Sequence, residues 1–432
     1  MDSVQWAQLD HLASLLPKEY ECKAIILKEK HLTRPDNINK LLRSAYRVPQ
    51  PLSHFKNFIQ KIPAARKLIT PIEILETYYL AKRYFKKAKP DILVLCQETG
   101  RIEYNVTKAA HKQNIPVLSL PTGTWDPSSR GTTYFNDKSR QVKGVLRKFV
   151  AHFFPKWTYT YQGRKLLHTG PNYILSATLL GKTPKDPWYF NSGWVDLVGV
   201  DSQAMFDFYA ANKIPPEKMK IIGSAQSQSL FIPSEEKVDR RKSLAKEYDL
   251  KADRPILYCA LPLEYPDTKG TAVFTSHEEC IENIIKPLLN LKYAQVIFGL
   301  HPRNKNKSIK TLEMHDIPIH RGSLSYFLPL VDGYIASISI TIRWAIMLGL
   351  PVVNFDVYGF KYATFDAISS VHTVYTLEDY IKNVNLLDNP SELEKWQLNA
   401  QKHQEYWGKP DGMFKDRLID LLHELAQQSK HN

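Results

Sequence analysis

The fold is decided by the stretch Val331-Asp-Gly-Tyr-Ile-Ala-Ser-Ile-Ser-Ile-Thr-Ile-Arg-Trp-Ala-Ile-Met-Leu-Gly-Leu-Pro-Val-Val-Asn-Phe-Asp356. It reads as a strand ending at Tyr334–Ala336, a turn rich in hydroxyls, a short helix, a stop at Gly349 and Pro351, and a second strand. Ser337, Ser339 and Thr341 fall where the helix begins. A helix N-terminus carries unpaired N–H groups and partial positive charge, so hydroxyl residues there either cap the helix or hold a phosphate. Upstream, the run Ala294–Leu300 predicts another strand, with His301 and Arg303 just past its end. Two strand ends converging on one crevice are what an open α/β sheet offers a nucleotide.

Working outward, the same alternation recurs. Ile92–Cys96 is a continuous apolar run of strand length, the pattern of a buried parallel strand. A helix over 103–113 and a strand over 114–120 complete a βαβ unit, with turns at 97–101 and 121–127. Strands over 194–200 and 219–223 flank a helix over 202–212 capped by Asp201 or Ser202. The polar stretch 224–241 predicts a linker. A second array follows, with strands at 255–260, 295–300, 317–320, 333–336 and 351–355, a helix at 276–291 and a helical tail over 390–428. No short repeat appears, which excludes solenoids and propellers. The fold class expected is α/β, with two doubly wound, Rossmann-like domains facing each other across a cleft and helices at the C-terminus.

The 432 residues suffice for two or three domains, and 43% hydrophobic with 24% charged residues describes a folded chain. The first ten residues lack a basic and then apolar leader, and no run approaches the roughly 20 apolar residues of a spanning helix. Cys22, Cys96, Cys259 and Cys280 form no CxxC pair, which points to a reducing cytoplasm and away from structural zinc. The net charge of +14 is concentrated: from Lys138 to Lys185 there are ten Lys or Arg and no Asp or Glu. Phe and Trp interleave with these cations, as in Val145–Trp157. That suits either an anionic membrane surface or a packed helix with a solvated basic face. No RNP-type, helix-turn-helix or zinc-finger pattern occurs, so a nucleic-acid partner is not expected.

The order of these motifs resembles that of GT-B-fold glycosyltransferases, and more loosely of the non-hydrolysing UDP-GlcNAc 2-epimerases. Three stretches carry the resemblance: 89–100 with 114–123, 195–223, and 296–303 with 335–353, covering about half of the chain with the elements between them. His301-Pro302 after a strand, followed by a Ser-x-Ser turn, resembles the bacterial surface-polysaccharide (capsule and lipopolysaccharide) transferases. Those include enzymes that use CMP-sugars such as sialic acid or Kdo, and the CDP-glycerol glycerophosphotransferases. The resemblance implies an acceptor-side domain over 1–232, with the basic aromatic segment 138–185 inserted in it, a nucleotide-sugar domain over 233–405, and a C-terminal helix over 406–432. It implies a glycosyltransferase that takes a nucleotide sugar, with a CMP-sugar favoured, and a surface glycan or lipid-linked acceptor. The place of work would be the cytoplasmic face of the cell membrane. Epimerisation of a UDP-HexNAc and transfer of glycerol phosphate are the alternatives. Two departures stand out. The chain opens on a helix rather than a strand and Gly-rich loop, and the epimerase pattern after the His-bearing strand is replaced by Leu300-His-Pro-Arg-Asn-Lys-Asn306.

Glycosyl transfer needs a base for the acceptor hydroxyl and a cationic or dipolar cradle for the departing phosphate. Glu98, past a buried strand in a Gly-containing turn, is the first candidate base, its pKa raised by partial burial, or else pairs with Arg101 or caps the next helix. Asp126 is the second, or else a turn residue before Pro127. On the donor side stand His301 and Arg303, and Ser337, Ser339 or Thr341 for the phosphate, with Glu264 for a ribose or sugar hydroxyl. Arg343 is read as a solvated helix residue, and Asp356 and Tyr358 as bordering the base or sugar. No Asp-x-Asp occurs and no His/Asp cluster has metal spacing, so no metal and no cofactor are expected.

Overall fold

The computed structural model describes residues 11–23, 25–26, 46–47, 59, 61–62, 68–98, 100–121, 127–263, 273–300, 319–320 and 322–431. The chain divides into two compact units, Met1–Ala225 with Met413–Asn432, and Gln226–Gly412.

In the first unit a short parallel pair, β1 (Ile25–Ile26) and β2 (Tyr46–Arg47), stands apart from the main sheet. The long helix α1 (Ile69–Ala88) leads to β3 (Leu93–Leu95), α2 (Arg101–His111) and β4 (Val117–Ser119). Then come α3 (Pro127–Tyr134), α4 (Val145–Phe153), the antiparallel hairpin β5 (Thr158–Tyr161) and β6 (Arg164–Leu167), and α5 (Pro171–Leu179). The strand β7 (Leu197–Val200), the helix α6 (Gln203–Ala211) and β8 (Met219–Ile221) complete the series. The main sheet runs β3-β4-β7-β8, all parallel and in sequence order. Its inner strands β4 and β7 carry Val and Leu and are buried throughout, as parallel strands covered on both faces are. Ser202 caps α6 by accepting from Met205 N–H, the kind of bond worth about 1 kcal/mol. The C-terminal helix Phe414–His431 belongs to this unit. It buries Phe414, Leu418, Leu421, Leu422 and Leu425 with Leu118, Leu197 and Ile222, a helical stripe at roughly 1.5–3 kcal/mol per side chain.

The basic aromatic segment has its own core. Val150, Ala151, Trp157, Leu167, Tyr173, Ile174 and Ala177 pack together with Ile74 of α1. The hairpin within it is absent from the sequence reading, because Thr-Tyr-Thr-Tyr and Arg-Lys-Leu-Leu do not alternate clearly.

The stretch expected as a linker is largely helical. Within it and just beyond lies α7 (Ser234–Glu247), whose Arg241 donates to the carbonyls of Leu330 (2.7 Å) and Arg254 (3.0 Å) and pairs with Asp332 at 2.6 Å. That arginine ties α7 into the second unit. The unit continues with β9 (Ile256–Ala260), α8 (His277–Leu289), β10 (Gln295–Gly299), β11 (Ile319–His320), β12 (Gly333–Ala336), α9 (Ile342–Met347), β13 (Val352–Phe355), β14 (Val371–Val374), α10 (Leu377–Leu387) and α11 (Pro390–Gln401). All its strands are parallel, in the order β11-β10-β9-β12-β13-β14. The helices α8, α10 and α11 cover one face, packing Ile281, Ile284, Leu288, Tyr380, Val384 and Trp396 on Leu257, Cys259, Ile335 and Val353. Among the described residues no helix is long and apolar enough to cross a membrane. The four cysteines are free thiols.

Candidate functional site

The strand order of the second unit fixes where a ligand site can lie. From β9 the chain steps outward through β10 to β11, then returns to the other side of β9 as β12 and steps outward again. Neighbours β9 and β12 therefore send their following connections in opposite directions. The gap past their C-terminal ends is a topological switch point, where open α/β sheets bind ligands. A small cavity there is lined by Ala260, Pro262, Ala336, Ser337 and Phe355 among others.

The turn that leaves β12 at this point is the hydroxyl-rich one. Its residue Ile338 has φ +46, a left-handed conformation that is costly for a β-branched side chain. Asn354, buried at the end of β13, holds it there: its Oδ1 accepts from Ile338 N–H at 2.9 Å, and its Nδ2 donates to Thr373 Oγ1 at 3.2 Å. Ser337 Oγ donates to the Phe355 carbonyl at 2.6 Å, so its single proton is spent. Ser339 Oγ lies 2.6 Å from Thr341 Oγ1, which in turn lies 2.5 Å from Tyr334 OH. Ser339 also accepts from Thr341 N–H at 3.3 Å.

These contacts revise the reading of the turn. The helix that follows, α9, is six residues long, and Thr341 at its start makes no side-chain cap bond. Ser337, Ser339 and Thr341 neither cap it nor have a long helix dipole behind them; the three hydroxyls Tyr334, Thr341 and Ser339 form a chain instead. Ser339 and Thr341 stay partly exposed, whereas Tyr334 is buried, and burial pushes its phenol well up. Asn354 and Tyr334 are not among the residues singled out from sequence. The signal for Asn354 was a lone amide inside the apolar run Val352–Phe355.

Other expectations change. Arg343 is buried rather than solvated and lies over the Trp407 ring at 5.8 Å. Asp356 is buried too and closes a turn, accepting from Phe360 N–H at 3.1 Å and Lys361 N–H at 2.7 Å, so its carboxylate is committed to backbone. Asp126, Glu264, His301 and Arg303 lie outside the described residues.

Glu98 lies in the first unit, and it does not stand in an open turn: it is 0% exposed. Its carboxylate accepts from Trp194 N–H (2.9 and 3.2 Å to the two oxygens). Its backbone N–H donates to Asn191 Oδ1 at 2.8 Å, and its carbonyl accepts from Asn191 N–H at 3.0 Å. Gly193 leaves the space it fills, since a Cβ there would sit 2.1 Å from Glu98 Oε2. Burial pushes the carboxyl up to about 7, against smaller opposing pulls from Trp194 N–H, Thr107, Val195 and His111. A carboxyl held this way clamps the 191–195 loop to the end of β3. The Arg101 pairing weighed from sequence is not formed either: Arg101 donates to Thr169 Oγ1 at 2.7 Å.

No protein-family model matches the chain, and no curated protein matches its sequence. Solved structures match its fold. S. aureus MnaA, in a co-structure with UDP, aligns with TM-score 0.50 and 10% identity over 97% of this chain and 93% of that one. A crystal structure of UDP-N-acetylglucosamine 2-epimerase aligns with TM-score 0.49 and 12% identity, covering 99% and 94%. CalG4, the calicheamicin glycosyltransferase, aligns with TM-score 0.49 and 12% identity, covering 90% and 88%. At such identity the likeness is one of fold: a GT-B-like α/β architecture with Rossmann-like parallel sheets.

Proposed function

We propose that the chain is a nucleotide-sugar enzyme, and specifically a transferase that moves a sugar to a glycan or lipid-linked acceptor without a metal ion. The observation that carries this reading is the switch point between β9 and β12, where the strained turn 337–341 leaves the sheet. In this reading the nucleotide's phosphates lie against that turn. If Tyr334 donates to Thr341 and Thr341 to Ser339, the Ser339 proton is left pointing outward. Ser339 then donates to the phosphate oxygen on which charge grows as the glycosidic bond breaks, while Ser337 only positions the turn. His301 and Arg303 supply further donors to the phosphates. With Glu98 sealed, the role of base for the acceptor hydroxyl passes to Asp126.

An acceptor at a membrane surface is consistent with α4. That helix exposes Val145 (88%), Leu146 (44%), Phe149 (48%) and Phe153 (60%), with Lys143, Arg147 and Lys148 beside them. Apolar side chains flanked by cations fit an anionic lipid interface.

The test is turnover of labelled UDP-sugars, CMP-sugars and CDP-glycerol with a membrane fraction as acceptor, with and without EDTA. The reading expects free nucleotide and label in the lipid or glycan fraction, undiminished by EDTA. Ser339→Ala and Asp126→Asn should each lower the rate at least tenfold. Interconversion of the sugar without nucleotide release would make the chain an epimerase. No turnover of any donor would sink the enzyme reading.

A further inference from the structure

A second cluster of polar groups lies in the first unit, away from the turn 337–341. Three arginines from separate segments meet around one histidine: Arg101 from the start of α2, Arg130 from α3, and Arg140 from the loop after α3. Arg130 is 8% exposed and donates to His168 Nε2 and to the Pro187 carbonyl at 3.1 Å. Arg140 donates to the His168 carbonyl, and Arg101 to Thr169 Oγ1 at 2.7 Å. Their guanidiniums stack on Phe190 (4.0 Å), Tyr134 (4.6 Å) and Tyr173 (4.5 Å) respectively, contacts that orient a cation without neutralising it.

Among the described residues, three carboxylates bear on this group: Asp137, 3.4 Å from Arg140 Nε, Glu73, which acts on Arg101, and Glu103, which acts on Tyr173. Among the described residues none pairs with Arg130. Burying a guanidinium without a counter-charge is costly, and these cations also repel one another.

The neutral groups around them are donors as well. A guanidinium can only donate, so His168 Nε2 accepts from Arg130 and the imidazole proton sits on Nδ1. Among the described residues that Nδ1–H has no hydrogen-bond partner, nor have Trp188 Nε1–H or the Tyr173 hydroxyl, and these residues are 9%, 2% and 3% exposed. The His168 and Trp188 rings are 5.5 Å apart, edge to face. Burial and then the charges of Arg130, Arg140 and Arg101 hold the imidazole far below its usual range, so it stays neutral. An oxyanion is a group that would accept from such buried donors and balance such under-compensated cations together.

We propose that Arg101, Arg130 and Arg140, with the N–H groups of His168 and Trp188 and the Tyr173 hydroxyl, form a binding site for a phosphate group. This does not rest on the transferase reading, since it is measured with neither donor nor acceptor present. The phosphate belongs either to a soluble phosphate ester or to a lipid headgroup.

The experiment is isothermal titration of the full chain with inorganic phosphate, chloride being adjusted to hold ionic strength constant. The wild type is expected to bind one phosphate. Arg140→Gln and Arg101→Gln, at the less buried arginines, should weaken binding at least tenfold, with a cooperative melt in the absence of phosphate showing that each variant is folded. Trp188→Phe keeps an aromatic side chain but loses the pyrrole half of the indole with its N–H donor, and should weaken binding about threefold to tenfold. It serves as the test if the arginine variants fold poorly. Phosphatidic-acid vesicles that bind, are displaced by phosphate and are lost with Arg140→Gln would assign the group to a lipid. Vesicles that fail to compete with phosphate would assign it to a soluble ester. No phosphate binding by the wild type, or equal binding by the wild type and all three variants, overturns the proposal.

Discussion

Replacing Glu98 by Gln removes a charge from a fully buried position and keeps the shape of the side chain. The carboxyl is raised from 4.5 to about 7 in the fold, chiefly by burial. A difference of roughly 2.5 pH units corresponds to about 3 kcal/mol at about 1.36 kcal/mol per unit. The sign follows from which state holds the proton. Below about pH 4.5 folded and unfolded chains are both protonated at Glu98 and its contribution to stability is fully present. Between about 4.5 and 7 the unfolded chain releases the proton while the folded one keeps it, so stability falls as pH rises. Above about 7 both are ionised and the deficit persists. Gln does not titrate, and its amide oxygen can still accept from Trp194 N–H. The stability of Glu98→Gln relative to wild type should therefore rise by about 3 kcal/mol across that window, because every other group cancels in the difference. Denaturant midpoints of the two proteins, measured every half pH unit from 4 to 8.5, read this directly. A flat difference, or one in which the wild type gains as pH rises, would refute the claim that the carboxyl is sealed.

Further outcomes follow from the same geometry. Gly193→Ala drives a Cβ to 2.1 Å from Glu98 Oε2, and should destabilise the chain by about 1–3 kcal/mol; Gly193→Ala in the Glu98→Ala background should recover part of that loss. Lys182 lies over the Tyr78 ring, and burial, then Lys108, Lys112 and Lys82, push its ammonium down to about 8. Charging it in the fold is unfavourable, so Lys182→Met should raise the melting temperature at pH 7. The gain should shrink from pH 8 to 10.5, as the unfolded chain also loses its proton. Phe149→Ser with Phe153→Ser, on the exposed face of α4, should reduce sedimentation with anionic vesicles at least fivefold without changing the melting temperature; unchanged sedimentation would remove the lipid-surface reading.

Parallel strands covered on both faces announce themselves as continuous apolar runs, which is why β9, β10, β12 and β13 could be placed from sequence almost to the residue. The strand β14 was not seen, because Val371-His-Thr-Val374 is short and half polar. The helical nature of 225–247 was hidden by the absence of an apolar stripe, since α7 buries only Leu244 and Ala245 and Arg241 anchors it by hydrogen bonds. In the candidate site, the hydroxyls of Ser337, Ser339 and Thr341 were legible as a cluster. Their division of labour was not, because it depends on Asn354, Tyr334 and the Phe355 carbonyl, brought in from other strands and other positions. The full burial of Glu98 was not legible for a related reason. A carboxylate after a strand looks alike in a sequence whether it faces solvent or is closed over by a loop some 95 residues away.

The central claim is that the second unit binds a nucleotide at its switch point. Hydrogen exchange of the backbone amides with UDP, CMP or CDP at saturating concentration tests it most directly. The account predicts that at least one of these nucleotides slows exchange in 337–341 and at the end of β9, and that Asn354→Ala, which frees the strained turn, removes the effect. Slowing confined to Met1–Ala225, or none with any nucleotide, would contradict it.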